Sequence, residues 1–148
     1  MSDPADDARR RIEERMKQMA AFEGFEKTCG FRPVSWGDGE AVVELTVAPP
    51  VQNPNRMLHG GAIAALVDHA GTLAIMTADR EARPGVTTDL NVTYLSPGPG
   101  GEVVRAEAKV LKAGKTLAYV TVDVRRKSDG VLVAQGRMTK YQVEAAKP

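Results

Sequence analysis

One segment constrains this chain more than any other: Gly60-Gly61-Ala-Ile-Ala-Ala-Leu-Val-Asp68-His69-Ala-Gly-Thr-Leu-Ala-Ile-Met-Thr77. It is long enough for a helix and apolar on nearly every side. A helix without a polar face must be wrapped by the rest of the protein. Its polar interruptions make it too short for a bilayer span, so no membrane crossing is expected. The remaining residues must therefore supply a shell, and one carboxylate goes inside with the helix.

The shell is visible as period-two alternation, the signature of strands with one buried face. Val104, Ala106, Ala108 and Val110 share a face, and so do Ala118, Val120, Val122 and Val124. Stretches 86–95, 102–112, 115–126 and 131–143 read as strands of an antiparallel meander. Ser96-Pro-Gly-Pro-Gly-Gly101, Ala113-Gly114 and Ser128-Asp-Gly130 read as its hairpin turns. Upstream, Phe31 to Trp36 and Glu40 to Val47 flank Gly37-Asp-Gly39 as strand, tight turn, strand. Residues 49–58 form a proline-punctuated loop. Residues 5–22 place Ile12, Met16, Met19 and Phe22 at helical spacing, a narrow stripe on a charged helix. No βαβ alternation occurs. The reading is an α+β fold of about six antiparallel strands curled round one central apolar helix, plus an N-terminal helix. The expected division is an amphipathic helical segment over 1–28 and a domain over 29–145.

Composition narrows the chemistry. The 148 residues carry 20 basic and 19 acidic side chains, a net charge of +1, and only 5% aromatics. No global field recruits nucleic acid, and no aromatic platform is available to stack bases. Arg9-Arg10-Arg11 is interleaved with Asp6, Asp7, Glu13 and Glu14 and reads as a solvated helix face. Two histidines and the single Cys29 are too few for most all-protein zinc sites, and no metal is expected. The N-terminus lacks the order of a secretory signal, so the expected location is cytoplasmic. Gly114-Lys115-Thr116 resembles the tail of a phosphate loop, but Lys109 stands where its first glycine belongs.

What remains lies between Asn53 and Asp68. A buried carboxylate needs a partner, a proton or water, and burial favours work as a general acid or base. Alternatively, Asp68 occupies a small exposed strip or caps a loop. His59-Gly60-Gly61 opens the helix, although glycine is a poor helix former. A helix N-terminus presents unpaired N–H groups, and glycine lets a carbonyl oxygen approach them, which is the physics of an oxyanion hole. The plainer reading is a tight entry with His59 as a cap. His69 reads as a packed helix residue. Gly60 and Asp68 are eight residues apart, about 12 Å along a helix. A donor at a carbonyl oxygen and a base at its carbon must be much closer. If both serve one carbonyl, two chains share each site, as a two-fold dimer allows.

Asn53-Pro-Asn-Arg-Met-Leu-His59-Gly60-Gly61, with Asp68 nine residues after the histidine, resembles the active-site signature of hotdog-fold acyl-CoA thioesterases. The nearest branch is the phenylacetate-pathway (PaaI-like) and thioesterase superfamily member 2-like one. Segments Pro84–Pro97, Val110–Tyr119 and Ala134–Lys140 extend the likeness over about residues 30–142. The resemblance implies Asp68 as general base or nucleophile, and Gly60 and Gly61 as carbonyl-polarising donors. It implies Asn53 as an orienting residue, Thr87 as an assisting hydroxyl where some relatives have serine, and His59 as a holder of the loop. Met138 stands where some relatives carry a histidine near the nucleotide end. The substrate implied is a small-molecule acyl- or arylacyl-CoA, with no separate cofactor, in a homodimer with shared sites and further in a homotetramer. Lys112 and Lys115, with Arg126 and Arg137 behind them, are the candidates for the coenzyme A phosphates. Two rival functions are an enoyl-CoA hydratase or dehydratase on the same fold and a non-catalytic acyl-CoA sensor. The first wants a histidine beside the acid, yet His59 lies about 13 Å along the helix. The second has no need of Asp68.

Overall fold

The computed structural model describes residues 3–143; Met1, Ser2 and the last two residues of the expected 29–145 domain fall outside them. Helix α1 (Pro4–Ala21) begins where Asp3 accepts the Ala5 N–H at 3.0 Å, with Pro4 in the first turn and Asp6 and Asp7 facing the helix dipole. Ile12 is its buried residue and Met16 packs beside the core. The apolar stripe stops there: the helix ends before Phe22, which is 69% exposed. A short helix, α2 (Phe25–Cys29), follows and was not anticipated. It ends at Gly30, whose φ of 78° is the left-handed cap that glycine adopts without strain.

Strands β1 (Arg32–Gly37) and β2 (Glu40–Thr46) form the hairpin. After a 3-10 turn at Pro49–Val51 comes α3 (Gly60–Ala78), then β3 (Val86–Tyr94), β4 (Val103–Ala113), β5 (Leu117–Arg126) and β6 (Leu132–Tyr141). They make one six-stranded antiparallel sheet in the order β1-β2-β4-β5-β6-β3. The inward positions of β2, β4 and β5 close over α3, and Leu66, Val67, Leu73, Ala74 and Ile75 are wholly buried. Each leucine, isoleucine and valine among them contributes about 1.5–3 kcal/mol. Gly71 marks a close approach of helix and sheet, because a Cβ there would lie 2.6 Å from Met138 Cε. By length and hydropathy α3 meets the requirement for a bilayer crossing after all. What opposes that reading is the sheet around it, not its length.

The expected meander is only partly present. β4, β5 and β6 are sequential neighbours, but β3 pairs with β6, from Val86 against Tyr141 to Tyr94 against Ala134. Ser96–Gly101 is therefore a crossover from the edge strand β3, past β6 and β5, to the interior strand β4 rather than a hairpin turn. It runs over the 49–58 loop, where Leu58 N–H donates to Gly98 O at 2.8 Å and Met57 bridges Pro99. Alternation marks a strand and its buried face but carries no label for its neighbour, and wrapping a helix requires both ends of the sheet to curl towards it.

Candidate active site

Asp68 lies on α3, half-buried, and its Oδ1 accepts a hydrogen bond from Thr87 Oγ1 on β3 at 2.6 Å. Counting inward positions back along β3 from the core-packed Val92 points to Thr88 rather than Thr87. A bulge between Thr87 and Asp89 shifts the register by one residue and turns Thr87 inward, opposite Lys140 of β6. Met138 is buried here as well, its Sδ 3.7 Å from Thr87 Oγ1. It thus stands beside the carboxylate site.

Two residues absent from the sequence reading complete this cluster. Thr72, one turn after Asp68, donates to the Asp68 carbonyl at 2.7 Å, and Lys140 Nζ donates to Thr72 Oγ1 at 2.7 Å. A signal existed for Lys140: it continues the inward series Ala134, Gly136, Met138 on β6, where an apolar residue is the norm. Asp68, His69, Thr72 and Lys140 line a cavity of about 310 Å³ closed by Glu26 of α2 and Arg15 of α1. Burial lowers the Lys140 pKa, and the Asp68 charge opposes that shift. His69 is packed as expected, 5.2 Å from the Phe31 ring, and burial lowers its pKa. Its Nε2 has no hydrogen-bond partner among the described residues.

A second cluster sits two turns away at the start of α3. His59 caps the helix, its Nδ1 accepting the Gly61 N–H at 2.8 Å. That engages Gly61 and leaves the Gly60 N–H without a partner among the described residues. Asn53 Oδ1 accepts from the N–H groups of Asn55 and Met57 at 3.0 and 3.1 Å, closing the loop, so its amide NH2 is what remains for a ligand. Tyr94, also unanticipated, donates to Gly60 O at 2.9 Å. The structure thus joins Asp68 to Thr87 and His59 to the start of α3, and closes the Asn53 loop just before that start, but the Asp68 and Gly60 groups stand two helical turns apart within one chain. Lys112 is exposed at the end of β4 and Lys115 in the β4–β5 turn, and neither forms an ion pair among the described residues. Arg126 is held by Asp129 at 3.0 Å.

The family model of the thioesterase superfamily matches residues 55–133. Human acyl-coenzyme A thioesterase 13 is 42% identical over 131 residues, spanning 88% of this chain and 93% of that protein. The crystal structure of zebrafish thioesterase superfamily member 2 is similar at a TM-score of 0.80 and 39% identity, over 89% of this chain and 96% of that one. A mutant structure of phenylacetic acid degradation protein PaaI from Thermus thermophilus is similar at 0.73 and 28% identity, over 80% and 98%. The chain belongs to the thioesterase superfamily, and it is a thioester hydrolase.

Proposed function

We propose that the chain hydrolyses an acyl- or arylacyl-CoA to the free acid and coenzyme A, with Asp68 as general base. The observation that carries this reading is the Thr87–Asp68 hydrogen bond of 2.6 Å beside a cavity of about 310 Å³, which has room for the attacking water. Donation to Oδ1 orients the carboxylate and leaves Oδ2 to take a proton from water. The water oxygen bonds to the thioester carbon, the C–S bond breaks, and the departing thiolate receives the proton. The reaction is redox-neutral, and no metal or further cofactor is assigned to it. The Gly60 N–H, with the Asn53 amide, polarises the carbonyl oxygen.

These donors come from a second copy of the chain. β3 is an edge strand, and its Val86, Leu90 and Tyr94, with Leu95 just beyond it, are between 37% and 55% exposed. Antiparallel pairing of two β3 strands about the Leu90–Asn91 midpoint sets Thr87 opposite Tyr94 of the second copy. Tyr94 is bonded to Gly60, so the pairing brings each carboxylate to the other chain's helix N-terminus. The outward-facing Leu117, Tyr119 and Tyr141 are an apolar surface for pairing such dimers into a tetramer. Lys112 and Lys115 meet the coenzyme A phosphates. The test is thiol release across aryl, short and long acyl-CoAs by Asp68→Asn. Loss of about 10²- to 10⁴-fold in kcat is expected for a lost general base. Full activity in that variant refutes the mechanism.

A further inference from the structure

Lys140 occupies a core-facing position of β6 and is only 5% exposed. An ammonium removed from water costs several kcal/mol unless charge and hydrogen bonds replace the solvent. Here three donors meet one protein acceptor, Thr72 Oγ1 at 2.7 Å. No carboxylate oxygen of the described residues lies within 4.0 Å of Nζ. The carboxylate whose field reaches it is Asp68. The arrangement is a square. Asp68 and Thr72 are one helical turn apart on α3, and Thr87 and Lys140 are direct cross-strand neighbours on β3 and β6. Thr87 bonds the Asp68 carboxylate, while Lys140 reaches the Asp68 backbone through the Thr72 hydroxyl. Both charged groups line the same cavity. Of the other charged or titratable groups there, His69 comes from α3, Glu26 from α2 and Arg15 from α1, while β3 and β5 contribute none.

We propose that Lys140 is a positioning residue for the hydrolysis: its buried ammonium is the fixed counter-charge of the Asp68 carboxylate and, with Thr72 and Thr87, holds that carboxylate at the water cavity. The proposal rests on Asp68 acting as the base. A hydrophobic residue would pack at this place without the desolvation cost, so the charge answers to the site rather than to the core. Burial pulls the Lys140 pKa below its ordinary 10.5, and Asp68 pulls it back up. As pH rises through that lowered value the ammonium, and the counter-charge with it, is lost.

The experiment is a pH profile of kcat/KM for the wild type, Lys140→Arg and Lys140→Met, with an NMR titration of the Lys140 13Cε signal in the wild type and in Asp68→Asn. The wild type is expected to lose activity on an alkaline limb below pH 10.5. Lys140→Arg removes that limb because guanidinium stays charged. Lys140→Met also lacks the limb and has kcat lowered at least about tenfold at neutral pH, with KM nearly unchanged. The Lys140 signal titrates at lower pH in Asp68→Asn. A limb that persists in Lys140→Met, or wild-type kcat in that variant, overturns the proposal. A Lys140 titration that Asp68→Asn does not move overturns the charge pairing, whatever Asp68 does in the reaction. A titration that moves while Asp68→Asn keeps full activity overturns Asp68 as base, and the catalytic role of Lys140 with it. The NMR comparison needs neither Lys140 variant beyond signal assignment, so a misfolded Lys140→Met leaves a decisive measurement.

Discussion

Replacing Gly60 with proline removes a single N–H while leaving the fold in place. Gly60 is the first residue of α3, where proline is favoured and the missing donor breaks no helical bond. The preceding His59 has φ −65° and ψ 136°, the extended conformation that a following proline requires. A Cβ at Gly60 meets the Tyr94 ring at 3.4 Å, a contact that a small ring movement relieves. The variant should therefore melt at or above the wild-type temperature, since proline at a compatible site adds about 0.4–1 kcal/mol. Its kcat should fall about 10²- to 10³-fold, the cost of one oxyanion donor, or roughly 2.7–4 kcal/mol. Mixing it with Asp68→Asn tests the shared site. In a mixed dimer, one site combines both defects and the other joins an intact Asp68 to an intact Gly60. Random mixing makes half the dimers mixed, so thiol release should recover to about one quarter of wild type. The assay is acyl-CoA turnover after co-refolding the two variants at equal concentration. Activity that stays at the level of the separate variants, with mixed dimers demonstrated by mass, refutes the two-chain site.

Two further outcomes follow from single contacts. Thr87→Val removes the 2.6 Å donor to Asp68 and should lower kcat about 10- to 100-fold, from a charge-assisted bond of roughly 1.5–3 kcal/mol, while Thr87→Ser restores most of it. Unchanged steady-state kinetics in Thr87→Val would show that the carboxylate needs no such donor. His69 has its pKa lowered by burial, so below about pH 6.5 the unfolded chain binds a proton that the folded one refuses. Stability from this group is present above that pH and is lost on acidification towards the folded value. Urea melts should show His69→Leu with a shallower decline than wild type between pH 7 and 5.5, and parallel declines would contradict the assignment.

The central helix, its wrapping strands and the bounds of most elements were legible because each rests on a short-range rule. The apolar circumference of Gly60–Ala78 demands burial, and the alternation in β4 and β5 names the buried face. The capping role of His59 was legible too, since the Gly-Gly that follows offers the N–H it accepts. α2 escaped notice because five residues carry too little periodicity to register. Lys140 and Tyr94 escaped because their importance lies in what stands opposite them. Neither partner is near them in the chain.

Local periodicity thus fixes which residues are helix or strand and which face is buried, because backbone geometry repeats over two or 3.6 residues. The roles implied for Asp68, Gly60 and Thr87 also follow from their place in a linear motif. Only the tertiary structure decides that β3 lies beside β6, that Ser96–Gly101 crosses from this edge strand to the interior strand β4, and that a bulge turns Thr87 rather than Thr88 onto Asp68. It also brings a lysine to the cavity that the Asp68 carboxylate lines. These outcomes depend on contacts between residues as far apart as 72 and 140, whose free energy is set by closing the sheet over the helix and not by any local preference.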